Sequence, residues 1–104
     1  MTYRIRETLE AIKDVTGLAT YMLSELENEK AAMDFLDKYD RKIEALKTFP
    51  FGYKGISFEY RGLEIRLKPF ETYNIFFAVN TLAREIIILR VLKDRQDWKS
   101  IFDK

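Results

Sequence analysis

Residues 56–68, ISFEYRGLEIRLK, decide the fold, because here the spacing of apolar residues changes from three-and-four to two. Ile56, Phe58 and Tyr60 alternate with Ser57 and Glu59, and Leu63, Ile65 and Leu67 alternate with Glu64, Arg66 and Lys68. A period of two places alternate side chains on opposite sides of a strand. Arg61-Gly62 between the two runs supplies a tight turn, so the stretch reads as a β-hairpin that Pro69 ends. Downstream, Tyr73 to Asn80 forms a third strand with Tyr73, Ile75, Phe77 and Val79 on one face. Glu85 to Leu92, rich in β-branched Ile, forms a fourth.

Upstream the period is helical. Ala32, Phe35, Leu36, Tyr39, Ile43 and Leu46 repeat at three and four, with charges filling the other face and Asn28 as N-cap. This helix stops near Thr48, because Pro50 disfavours helical geometry at Phe49 and Gly52 and Gly55 prolong the break. Before it, Thr8 caps an earlier helix whose stripe is read as Leu9, Ile12, Ala19, Leu23 and Leu26, weakened at Gly17 by ~1 kcal/mol relative to Ala. Thr2 to Glu7, with Tyr3 and Ile5 alternating with Arg4 and Arg6, is a short first strand. The expected fold class is α+β, a two-layer sandwich of order β-α-α-β-β-β-β. Its helical hairpin packs on one face of an antiparallel sheet and leaves the other face open.

The chain has 104 residues and no linker composition divides it, so residues 1–104 are expected to form one domain. Hydrophobic residues make up 47% and aromatics 14%, enough for a core and against disorder. There is no Cys, which removes disulfides, thiol nucleophiles and zinc-thiolate sites and fits a reducing compartment, so the cytoplasm is expected. There is no His either, so the commonest general base and metal ligand are both missing, and no metal or cofactor is expected. Catalysis, if any, would fall to Lys, Arg, Tyr or carboxylates. No apolar run approaches the ~18 residues of a bilayer span, so neither a signal peptide nor a membrane role is expected. With 18 basic and 17 acidic residues the net charge is +1, so any polyanion binding must come from local clustering.

The last stretch, Ile86 to Phe102, IIILRVLKDRQDWKSIF, carries an apolar strand into a basic and aromatic tail holding Arg90, Lys93, Arg95 and Trp98. With LRVLKDRQDW at its end, YNIFFAV in the penultimate strand and the β-α-α-meander order, the chain resembles the RelE/ParE toxin superfamily, nearest to ParE-like members at the C-terminus. The resemblance implies the toxin half of a type II toxin-antitoxin pair, of the plasmid-stabilisation and growth-inhibiting kind. It implies neutralisation by a cognate antitoxin that wraps it, assembly as a heterotetramer with that antitoxin, and a first strand lying beside the last. RelE-like toxins cleave mRNA in the ribosome, whereas ParE-like toxins inhibit DNA gyrase.

RelE-like nucleases place cations on the open sheet face to hold phosphate and stabilise the transition state of 2′-OH attack. Alternation sends Arg66 and Lys68 to one face, about 6.5 Å apart, and they are expected on that open face. Arg66, Lys68 and Arg95 are the catalytic candidates. Arg66, Lys68, Arg90, Lys93, Arg95 and Trp98 are the candidate target or nucleic-acid contacts. The pattern departs from the nucleases in three places: Asn74 follows Tyr73 where they have an arginine, Ala78 replaces a frequent basic residue, and beyond Arg95 stand Trp98 and Phe102, which cannot move a proton. Lys68, Lys93 and Tyr73 remain as acid-base candidates. Gyrase-type binding inhibition is therefore placed ahead of mRNA cleavage, with a non-catalytic interaction module as a third possibility.

Each feature also has a plainer explanation. Arg66 and Lys68 could be the solvated side of a sheet, Trp98 the cover of a core end, and Arg95 a surface ion pair with Asp94 or Asp97. Glu25, Glu27 and Glu29 read as a solvated turn. Phe49, Phe51, Tyr53, Phe58 and Tyr60 read as core packing between the second helix and the hairpin.

Overall fold

The computed structural model describes residues 2–103. Strand β1 (Arg4–Glu7) leads into helix α1 (Leu9–Ser24) and helix α2 (Glu29–Leu46). After a 3-10 turn at Pro50–Gly52 come β2 (Gly55–Tyr60), β3 (Leu63–Phe70), β4 (Tyr73–Asn80) and β5 (Glu85–Lys93), and a short helix α3 (Trp98–Phe102) closes the chain. The five strands form one sheet in the order β1-β5-β4-β3-β2, with β1 parallel to β5 and all other pairs antiparallel. The expected α+β order and the helical hairpin on one face are present, and the first strand does lie beside the last. The addition is α3, packed on the opposite face.

Both helix caps fall where the sequence puts them. Thr8 Oγ1 accepts from the Ala11 amide (3.1 Å) and Asn28 Oδ1 from that of Ala31 (2.9 Å). The stripe of α2 also matches, with Ala32, Phe35, Tyr39, Ile43 and Leu46 buried. Tyr39 ties α2 to β1 by donating its hydroxyl to Glu7 Oε2 (3.1 Å). Burial, reinforced by the Glu7 charge, pushes that phenol above its ordinary value, so it remains a donor. The stripe of α1 differs: Ala11, Val15 and Ala19 are buried, whereas Leu9, Ile12, Leu23 and Leu26 are exposed. Two apolar stripes run along this helix, and small residues, which let α1 lie close to α2 and β5, line the inner one.

Two apolar clusters sandwich the sheet. The helix-side cluster joins α1 and α2 to Phe70, Ile75, Phe77, Val79, Ile86, Ile88 and Val91. The other cluster joins Ile56, Ile65, Phe76, Ala78, Ile87, Leu89 and Leu92 to Trp98, Ile101 and Phe102 of α3. A bulge in β5 makes this division possible: Phe77 pairs with Ile88 but Phe76 pairs with Arg90, leaving Leu89 as the extra residue. Strict alternation would have sent Arg90 into the helix-side core after Ile86 and Ile88. The bulge resets the phase so that Val91 takes that place. In β3 the strand runs through Pro69 to Phe70 instead of ending there, because Pro69 costs no ladder bond. The Leu67 amide points toward β2, to the Lys54 carbonyl (3.1 Å), so Pro69, two residues on, turns its nitrogen past the end of β2.

Strand β1 stops opposite Ile88, so the outer edge of β5 beyond that point lacks a partner strand. Side chains complete it. Thr8 Oγ1 donates to the Leu89 carbonyl (2.9 Å), and the Asp14 carboxylate accepts from the Val91 amide (2.9 Å). The same carboxylate receives Arg90 through two bonds, Nε to Oδ2 (2.7 Å) and Nη2 to Oδ1 (2.9 Å). These hydrogen bonds raise the guanidinium further above its usual value, against the opposing effect of burial. Asp14→Ala leaves a half-buried cation and a strand amide unpaired, so a loss of about 3 kcal/mol is expected in urea unfolding. Asp14→Asn, which keeps an acceptor for Val91, should lose less.

Candidate interaction surface

The six residues singled out in the sequence do not converge. Arg66 and Lys68 lie on the helix side of the sheet, not on the helix-free face, because β3 pairs them with Phe77 and Ile75 of the helix-side core. Alternation fixed that the two share a face but not which face, and the apolar partners Ile65 and Leu67 were needed beneath α3. Arg66 donates Nη1 to the Tyr53 carbonyl (2.8 Å), meets Glu64 (3.4 Å) and lies over the Phe51 ring (5.1 Å). Lys68 is only 5% exposed, with Nζ donating to the Tyr53 hydroxyl (2.8 Å). Arg90 is held by Asp14 at the β5 edge. Neither Arg66 nor Arg90 is a free cation awaiting a polyanion.

Lys93 and Arg95 are exposed at the C-terminal end of β5 and the turn that follows. Lys93 Nζ stands over the Tyr21 ring of α1 (5.7 Å). Trp98 is half-buried, edge-on to Phe58 (6.1 Å between centroids) and tilted against Phe76 (5.7 Å). Phe102, one helical turn on, meets Phe76 at 5.0 Å. The tail is thus bolted by two aromatics to the side of the sheet opposite the helical hairpin. Asp97 holds its start, with Oδ1 accepting from the Ser100 amide (3.4 Å).

The helix-free face is therefore neither bare nor basic. Its floor is apolar, and α3 covers part of it. A hollow of about 360 Å³ remains between α3 and the start of α1, lined by Thr8, Glu10, Tyr60, Leu89, Arg90 and Phe102 among others. Asn74 is buried and pairs with Leu92. Of the aromatics expected in the core, Tyr53 packs on the helix side and Phe58 and Tyr60 on the other, but Phe49 and Phe51 are exposed. No group of acids able to hold a metal occurs among the described residues, and no helix there is long and apolar enough to cross a membrane. What this geometry offers chemically is surface: apolar side chains on the outer side of α1, half-buried aromatics of α3 over the sheet, and cations at the β5 exit. Sequence reasoning missed Asp14, whose helical position gives no sign of the strand it completes. It also missed Ala11 and Val15 of the inner stripe of α1, and with them the outward orientation of Leu9, Ile12 and Leu23.

Residues 5–98 match the family model described as ParE toxin of type II toxin-antitoxin system, parDE. No individual curated protein matches the sequence. Among solved structures, the chain is similar to one from the chromosomal ParDE toxin-antitoxin system of P. aeruginosa, with a TM-score of 0.70 at 19% identity, covering 88% of this chain and 96% of that one. It is also similar to a chain of the RelBE2 toxin-antitoxin complex from Mycobacterium tuberculosis (0.59, 17%, 89% and 99%). A third likeness is to the archaeal RelE-RelB complex from Pyrococcus horikoshii OT3 (0.55, 18%, 92% and 99%). At these identities the likeness is one of fold.

Removing the ring that fixes the tail, by Trp98→Ala, should cost about 2 kcal/mol and raise binding of a hydrophobic dye as the apolar floor is uncovered. Trp98→Phe should recover part of both.

Proposed function

The chain belongs to the ParE toxin family of type II toxin-antitoxin systems, and on that premise we propose that it arrests growth by binding a protein of DNA topology, DNA gyrase, and not by cutting RNA. The observation that carries this reading is the character of the helix-free face. Where ribonuclease chemistry needs exposed cations to grip phosphate, this face carries a buried apolar cluster of Ile65, Phe76, Ala78 and Leu89, with Trp98, Ile101 and Phe102 of α3 packed against it. Arg66 and Arg90 are spent on intramolecular partners, whereas a protein target asks only for shape, apolar area and a few charges at the rim. The contacts proposed are Lys93 and Arg95 at the strand exit, on a tail that Trp98 holds in place.

The cognate antitoxin is proposed to neutralise the toxin by laying an apolar segment along the outer stripe of α1, at Leu9, Ile12 and Leu23, and over Leu26 just beyond its end. The neighbours in fold are themselves parts of toxin-antitoxin complexes, which supports such a partner. The setting proposed is the cytoplasm, with the pair assembled as a heterotetramer and serving plasmid stabilisation.

Induction in a bacterial host should stop growth, and co-expression of the antitoxin should restore it. Purified toxin should inhibit gyrase supercoiling and leave mRNA intact on translating ribosomes. Cleavage of that mRNA without an effect on gyrase would overturn the reading, and a folded protein with neither effect would mark an interaction module. Arg95→Glu, at an exposed position, should weaken gyrase inhibition about tenfold with stability unchanged. Ile12→Asp should leave growth arrest intact but raise the antitoxin dose needed to relieve it by a similar factor.

A further inference from the structure

On the helix side of the sheet, away from the surfaces discussed so far, α2 and the β3–β4 hairpin enclose a hollow of about 480 Å³. Lys38, Arg41 and Lys42 of α2 and Lys68 of β3 line it, with Phe70 and Glu71, which gives four cations and one acid. The helix segregates its charges to do this. Lys38, Arg41 and Lys42 fall at i, i+3 and i+4 on the flank beside the hairpin, whereas Asp37, Asp40 and Glu44 fall on the other flank. Like charges at that spacing repel, so the arrangement works against the stability of the helix. Nothing in the packing of α2 requires the arrangement, since its core stripe is made of other residues.

The cations are also incompletely neutralised. Lys38 meets Glu71 (3.2 Å) and Arg41 meets Asp37 (2.9 Å), but all four side chains are about half exposed or more, so these pairs exchange partners readily. Lys42 enters no ion pair among the described residues. Lys68 is the telling group: a lysine 5% exposed is ordinarily paired with a carboxylate, and here its ammonium donates to the Tyr53 phenol and has no acid within ion-pairing distance among the described residues. Three donors on one ammonium leave capacity beyond that phenol.

We propose that this hollow is an anion site that takes the phosphate group of a phosphate-bearing ligand, with Lys68 at its base, Lys42 at its mouth, and Lys38 and Arg41 able to turn in from their acids. Phosphate suits it better than a carboxylate. Several cations from two elements surround an open space, and a phosphate offers more oxygens and up to two charges to share among them. The site is distinct from the gyrase and antitoxin surfaces proposed above, so it stands or fails independently of them.

The test is amide chemical-shift titration of the whole protein with inorganic phosphate, a 5′-mononucleotide and a short single-stranded oligonucleotide. Saturable shifts confined to residues 38–45 and 67–72 are expected with phosphate and mononucleotide alike. Tighter binding of the oligonucleotide per phosphate would make a nucleic-acid backbone the source, and equal binding a small molecule. Lys42→Ala, at an exposed position, should weaken each about tenfold, and Lys68→Met, which keeps the buried stem, at least as much. The proposal is overturned by shifts that do not saturate or that spread over the other basic residues. An unchanged affinity in Lys42→Ala, or a glutamate-rich peptide that binds more tightly than phosphate, would overturn it equally.

Discussion

The fold depends on how the outer edge of β5 is completed once β1 runs out. The first strand pairs only from Glu85 to Ile88, yet β5 continues to Lys93. An unpaired strand edge at the centre of the molecule would be costly, because its amides and carbonyls would sit against a helix instead of water. The first two turns of α1 supply the missing groups. Thr8 both caps the helix and donates to the Leu89 carbonyl, and Asp14 accepts from the Val91 amide and from Nε and Nη2 of Arg90. These contacts fix where α1 lies on the sheet, and α1 in turn sets the seat of α2. The bulge at Leu89 belongs to the same arrangement, since it turns Arg90 to Asp14 while keeping Val91 in one core and Leu92 in the other.

Most of the architecture was legible in local pattern. The period of two in residues 56–68 and 73–79, the stripe of α2 and the two caps all correspond to observed elements, because in each the apolar spacing admits one reading. Legibility ended where two readings fit equally. Helix α1 carries two apolar stripes, and choosing the inner one requires knowing that Ala11 and Ala19 permit close approach. In β3, alternation separates Arg66 and Lys68 from Ile65 and Leu67 but cannot say which pair faces the helices. The answer depends on α3, whose need for an apolar floor lies some 30 residues further along the chain. Pro69 does not terminate β3 for a similar reason: its cost depends on whether the neighbouring strand extends that far.

The candidate site is less legible than the fold because the partners that engage its cations lie far away in sequence. Arg66 is held by a backbone carbonyl and an aromatic face, and Arg90 by a carboxylate seventy-six residues away in sequence. A side chain engaged in this way shapes the surface through geometry rather than through its field. Among the basic residues left for a partner are those at the exit of β5 and those on the flank of α2, which belong to different elements of the fold.

At the far end of the sheet from β1, strand β2 is the outer strand and its pairing with β3 slips between Gly55 and Glu59, with Ser57 in the left-handed region at φ 67°. A strand so interrupted cannot offer a continuous ladder of amides and carbonyls to an incoming chain, and Glu59 adds charge to it. The irregular margin therefore guards against sheet-to-sheet fibre growth. A chain this rich in isoleucine and phenylalanine can thus accumulate without its outermost strand serving as the template for aggregation.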